Sequence, residues 1–284
     1  MSEFLTIGVG LVPLMTAWAA TIAAGVLPVV VILVVIKKLD YRSEPWNVLL
    51  TTFWLGMMMV APLVLYNRVY TALHFSSVGV PWIDDLLIAF TRGAFPEEVL
   101  KFLVLYGYCI RRPEFREPMD GVVYGATASL GFAAYENICF VAIGGLDAAI
   151  TRSVTAVPAH ACFGALMGYY YQRALCLEKR SRGRVDLTVF GLSVAIFLHT
   201  LYDFSLLLLR DASLLSRMYG SDGWELVVWR WMATLLCVGT LAASLWWTGR
   251  IIVALRAQHR RRMRQQCEPP APSLLEEQSS TEAS

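Results

Sequence analysis

The stretch 187-LTVFGLSVAIFLHTLYDFSLLLL-209 decides how the rest of the chain is read. It is long enough to cross the roughly 30 Å of bilayer hydrocarbon as a helix, which takes about 20 mainly apolar residues. Arg182 and Arg184 precede it and Arg210 follows it, so charge stands at its ends. Inside it only His199 and Asp203 can carry charge near neutral pH, and their i,i+4 spacing puts both on one helical face. A span that carries one such pair is at once a membrane segment and a candidate functional site.

Working outward, similar apolar blocks occupy 12–36, 48–65, 82–110, 119–143, 150–175 and 229–255. The 284-residue chain is 57% hydrophobic and 16% charged, with a mean hydropathy of +0.54. Soluble domains carry roughly 25% charged residues, so a soluble enzyme is excluded. The fold expected is an all-α polytopic membrane bundle of about seven transmembrane helices over residues 1–264. Residues 265–284 are polar, contain Pro269, Pro270 and Pro272, and read as a disordered cytoplasmic tail. The run 4–36 exceeds one upright span: either Pro13 and Pro28 bend it, or 4–11 lies along the membrane surface. The six cysteines form no metal-type pair.

Lys and Arg collect in alternate connections. One set holds Lys37, Lys38 and Arg42, then Arg111, Arg112 and Arg116, then Arg173, Lys179, Arg180, Arg182 and Arg184. It ends with Arg250, Arg256, Arg260, Arg261, Arg262 and Arg264, and together these groups are most of the 24 basic residues. The opposite connections hold only Arg68, Arg210 and Arg217. Cytoplasmic loops are the basic ones, which places the N-terminus outside and the C-terminus in the cytoplasm. The basic run 256–264 suits anionic lipid headgroups. A formal net charge of +2, spent on membrane-flanking loops, gives no reason to expect a nucleic-acid partner.

A charge within hydrocarbon costs about 2.5–3.5 kcal/mol on insertion scales, so each needs a partner and a reason. Glu97, Glu98 and Lys101 stand in the third block, Glu136 and Asn137 in the fourth, His160 in the fifth, His199 and Asp203 in the sixth. Glu97 and Glu98 lie four and three residues before Lys101, so one ammonium can serve both. Pro96 suits a first helical turn, which predicts a helix start at the glutamates. Counted from the cytoplasmic ends, Glu97, Glu136, His160 and His199 all fall about 20–25 Å up their helices. Gly121 with Gly125, and Gly164 with Gly168, are small-xxx-small pairs that read as close helix packing. Asp147 and Arg152 read as interfacial.

In chain order the motifs are Glu97-Glu98-x-x-Lys101, Phe132-x-x-x-Glu136-Asn137, His160-x-x-x-Gly164 and His199-x-x-x-Asp203. Together they resemble the PrsW family of bacterial intramembrane proteases, and 120–137 (DGVVYGATASLGFAAYEN) is especially similar to that family's central helix. The resemblance spans residues 37 to 209 and extends to a wider group containing the CAAX prenyl endopeptidases. It implies an intramembrane endopeptidase of the bacterial inner membrane that cleaves a single-pass or otherwise membrane-anchored protein, with anti-sigma factors as the substrate type.

Two chemistries fit these residues. In one, Glu97 or Glu98 is the general base for water, with His160, His199 and Asn137 as donors to the oxyanion. In the other, His160, His199 and a glutamate, Glu136 being the candidate, hold Zn2+ with an open fourth position. Metal-dependent and metal-free catalysis stay open. Proton- or ion-coupled transport through a channel or carrier is the alternative, against which stands the lack of an inverted repeat. A non-catalytic membrane scaffold is the third possibility, and cleavage of a reconstituted single-pass substrate separates all three.

Overall fold

The computed structural model describes residues 2–73, 77–219 and 223–267. Every element among them is helical. They are α1 (Ser2–Leu39), α2 (Trp46–Met58), α3 (Val60–Ala72), α4 (Pro81–Ile88), a π-helix (Ala89–Ala94) and α5 (Phe95–Gly107). A short 3-10 turn (Cys109–Arg111) leads to α6 (Pro118–Val154), α7 (Ala156–Leu175), α8 (Arg182–Tyr219) and α9 (Trp224–Cys267). Most of the expected tail, 268–284, lies outside the described residues. α1 is drawn as one helix through both prolines.

Among the described residues, five stretches are long and apolar enough to cross a membrane: Trp18–Leu39, Trp46–Ala72, Pro118–Leu175, Arg182–Asp211 and Leu226–Gln265. The third of these is not one rod. Gly145 has φ 63°, a left-handed value that glycine adopts without steric cost. Arg152 Nε reaches Asn137 Oδ1 at 2.7 Å, although fifteen residues along a straight helix span about 22 Å. The chain therefore reverses at Gly144–Gly145 and returns beside the first part of α6.

The stretch from Pro81 to Gly107 runs on through the π-helix, so the helix start expected at Pro96 is instead the middle of a longer rod. Pro96 has no N–H to offer the carbonyl of Arg92, four residues back. The widened turn leaves that carbonyl to Asn67 Nδ2 at 3.3 Å, while Tyr66 donates its hydroxyl to the Thr91 carbonyl at 2.9 Å. Helix α3 thus closes the bonds that the proline and the π turn open.

Helix α6 is the centre of the bundle and is buried from Met119 through Ala134. Its start is defined by Asp120, whose Oδ2 accepts the backbone N–H of Arg116 at 2.7 Å and of Glu117 at 2.6 Å. The α7 face closes on backbone: a Cβ at Gly125 would overlap the Gly164 carbonyl. The close packing expected of the small residues is what places α7, and with it His160, directly against α6.

Candidate active site

Four helices contribute to one buried cluster. On α5 the glutamates and lysine project inward together, Glu97 6% exposed, Glu98 and Lys101 fully buried. Lys101 Nζ donates to Glu98 Oε1 at 2.7 Å and to Glu97 Oε2 at 3.2 Å, the two pairs that helical spacing anticipates. The third donor of the ammonium lies 3.0 Å from His160 Nδ1 on α7. Because an ammonium has no lone pair, Nδ1 accepts there, and the proton of His160 sits on Nε2. That Nε2 faces Glu136 Oε2 of α6 at 3.0 Å. The Phe132 ring, one turn before Glu136, lies beneath the ammonium at 4.5 Å.

His199 on α8 enters from the other side. Its Nδ1 is 2.8 Å from Glu98 Oε1, and its Nε2 is 3.4 Å from Asp203 Oδ2 and 3.9 Å from Glu97 Oε2. The Phe163 ring stacks on the imidazole with centroids 5.3 Å apart. The two histidine rings meet edge-on at 5.0 Å. Asp203 reaches the cluster because Gly93, in the π turn, has no side chain: a Cβ there would lie 2.6 Å from Asp203 Oδ2. Asp203 is also the most open member, its side chain 28% exposed, so access to the cluster is on its side.

Glu97, His160 and His199 each offer one ligand atom within 4.8 Å of the others. Two imidazoles and one carboxylate are the donor set of many catalytic zinc sites, and the set fits a divalent ion. A carboxylate behind each ring strengthens the fit: Glu98 at His199 Nδ1 and Glu136 at His160 Nε2. In this structure the Lys101 ammonium takes the His160 Nδ1 lone pair and one Glu97 oxygen, so an ion held there would have to displace it from both. Glu136, a candidate third ligand by sequence, lies against His160 Nε2, and the carboxylate that converges with the two imidazoles is that of Glu97.

Asn137 is brought to the edge of the cluster but not into it. Its Nδ2 donates to the Gly25 carbonyl of α1 at 2.7 Å and its Oδ1 accepts from Arg152. One N–H of the amide thus ties α6 to α1, and its oxygen ties the two legs of α6 across the reversal at Gly145. Arg152 was missed as a site residue. The reversal at Gly145 swings it off the interface it was expected to occupy, and its Nη2 pairs with Glu136 Oε2 at 3.4 Å. Its guanidinium covers Phe140 at 4.1 Å. The available signal was an arginine eight residues before His160 in an otherwise apolar run, which needs a buried acid to pair with.

A family model described as PrsW family intramembrane metalloprotease matches residues 44–238, which include every residue of the cluster. The Protease PrsW of Geobacillus kaustophilus is 35% identical over 187 residues, covering 66% of this chain and 79% of that protein. The Protease PrsW of Bacillus subtilis is 34% identical over 188 residues, 66% of this chain and 83% of that one. The Protease PrsW of Clostridioides difficile is 26% identical over 188 residues, 64% and 77% of the two chains. No solved structure matches the chain.

Proposed function

The chain belongs to the PrsW family of intramembrane proteases, and from that premise we propose that Glu98 activates water for peptide hydrolysis within the buried cluster. The protein is a multi-pass bacterial membrane protease that acts on a membrane-bound protein, which sets aside the transporter and scaffold readings. By resemblance, the substrate is of the anti-sigma factor type.

The observation that carries the assignment of the base is Glu98 itself. Its Oε1 takes bonds from Lys101 and His199, which fix the carboxylate, while the buried Oε2 has no hydrogen-bond partner among the described residues. A buried acceptor left without a donor is costly, and at a reaction centre that cost is recovered by taking a proton. Glu97, His160 and His199 would hold the metal ion that the family description implies. Such an ion supplies Lewis-acid polarisation of the scissile carbonyl and of the attacking water.

The remaining roles belong to the chain. Lys101 holds Glu98, Glu98 orients His199 through Nδ1, Glu136, backed by Arg152, orients His160 through Nε2, and Asp203 stands at His199 Nε2 on the open side. Water loses a proton to Glu98 Oε2 as its oxygen attacks the carbonyl carbon. The C–N bond then breaks and the leaving amine takes that proton. The test is cleavage of a single-pass protein by the reconstituted enzyme. Glu98→Gln, which keeps the volume and loses the base, should abolish it; a properly folded Glu98→Gln that cleaves like the parent overturns the assignment.

The seven crossings and the outward N-terminus complete the proposal, since they put the cluster in the outer half of the bilayer. A cysteine probe at position 180 should be protected from an impermeant reagent in intact cells. Labelling there would invert the orientation.

A further inference from the structure

Away from the cluster, at the end of the bundle opposite the basic loops, α8 is the floor of an open apolar groove between α4 and α9. Phe204 and Leu208 project into it at i,i+4 spacing from α8, Trp229, Met232 and Leu236 line it from α9, and Trp82 lines it from α4. This part encloses about 520 Å³. A second hollow of about 240 Å³ shares Trp82, Leu208 and Trp229 with it and adds Asp85 and Asp211 at the rim, so the two are continuous.

Three features separate this groove from ordinary lipid-facing surface. Its floor, α8, carries His199 and Asp203, and its α4 wall continues through the π turn into Glu97 and Glu98. Its floor also begins at Phe204, the residue after Asp203, the most open site residue, on the same helix. Finally, its rim is acidic. Asp85 is 4% exposed, its Oδ1 3.5 Å from Arg210 Nη2 and its Oδ2 without a hydrogen-bond partner among the described residues. Arg210 Nη2 also pairs with Asp211 at 3.0 Å. One guanidinium therefore serves both carboxylates, which stand beside an apolar trough.

We propose that this groove docks the substrate's membrane segment, and that Asp85 and Asp211 select a segment with a lysine or arginine on its outer flank. The inference rests on the protease reading and extends it to substrate choice. Along α8, His199 and Asp211 are about 18 Å apart at roughly 1.5 Å per residue. An extended chain, at about 3.3 Å per residue, covers that in roughly five residues. The selected basic residue should therefore stand about five residues outward of the bond that is cut.

The experiment uses the full chain in lipid nanodiscs with a photo-crosslinking amino acid at Met232, or at Leu103, an exposed apolar position on α5. The probes are two synthetic single-pass apolar segments that differ in one outer-flank residue, lysine or glutamate. Crosslinking at position 232 should favour the lysine probe about fivefold, the scale of a single partly screened ion pair. The preference should fall towards one in the double variant Asp85→Asn, Asp211→Asn. It should also weaken in the parent as salt is raised, a check that needs no substitution. Equal labelling at 103 and 232, or a preference that neither the double variant nor salt reduces, would show the groove to be lipid-facing surface only. Because crosslinking needs no turnover, charge-selective capture without cleavage would overturn the protease mechanism and leave the docking surface standing.

Discussion

Two buried polar clusters sit at different depths of this bundle, and both are rich in carboxylates. At the basic-loop end, Asp40, Glu44, Glu117 and Asp120 gather with Tyr41 and Tyr124. Asp40 accepts the backbone N–H groups of Arg42 and Glu44, Glu117 accepts from Tyr41 and Arg42, and Glu44 accepts from Tyr124. Those acids tie the connection between α1 and α2 to the start of α6. In the inner cluster the partners are imidazoles, an ammonium and a guanidinium, and one fully buried carboxylate oxygen, Glu98 Oε2, has no hydrogen-bond partner among the described residues. The difference teaches that burial and acidity alone do not make a site. What distinguishes the reactive cluster is imidazoles beside the carboxylates, groups that both take and give protons; an unspent buried acceptor alone is not enough, since Glu114 Oε2 beside the other cluster has no hydrogen-bond partner among the described residues either.

The comparison breaks most sharply on matched substitutions. Glu98→Gln should lower cleavage roughly 10³-fold, within the usual worth of a general base, whereas Glu44→Gln should stay within about twofold of the parent. Similar losses from both would mean that the two clusters differ only in position. Next in size is His199→Ala, or His160→Ala, for which we expect about 10²–10³-fold slower cleavage. If the enzyme is isolated with zinc, elemental analysis should show that zinc lost together with the activity. Zinc retained in full by both variants would remove the histidines from the ligand set.

A smaller effect sharpens the edge of the inner cluster. Arg152→Gln should cost about 10–100-fold in rate, typical of a group that holds a ligand's partner in place, and Arg152→Lys should recover part of it. Wild-type cleavage by Arg152→Gln would return Arg152 to a packing role. The smallest effect belongs to the outer knot. Burial, with Asp120 and Asp40 nearby, pushes the Glu44 carboxyl up to about 7 against the Tyr124 bond that lowers it. A raised carboxyl stabilises the fold fully below its ordinary range, and that contribution is lost as pH rises through about 7. Thermal unfolding should therefore occur at a temperature about 1–2 °C lower at pH 8 than at pH 5 from this group alone. Glu44→Gln should flatten that difference, and an unchanged pH slope would refute the assignment.

Sequence alone determined the class of the fold and most of the inner cluster. Apolar blocks of spanning length leave few places for ionisable residues, so those present stand out: Glu97, Glu98, Lys101, Glu136, His160, His199 and Asp203 were all legible. The pairs with Lys101 and between His199 and Asp203 follow from helical periodicity, which acts within four residues and needs no fold. Tertiary structure decided what periodicity cannot reach. Gly145 turns the chain back and carries Arg152 to Glu136, the π turn before Pro96 keeps the glutamates on a continuous rod, and bare Gly93 admits Asp203. Asn137 shows the same limit from the other side, since α1 claims its amide through a contact 112 residues away. Which acid backs a histidine and which stands beside it depends on distances of a few ångströms between helices, and close packing at glycine, not spacing along the chain, sets those distances.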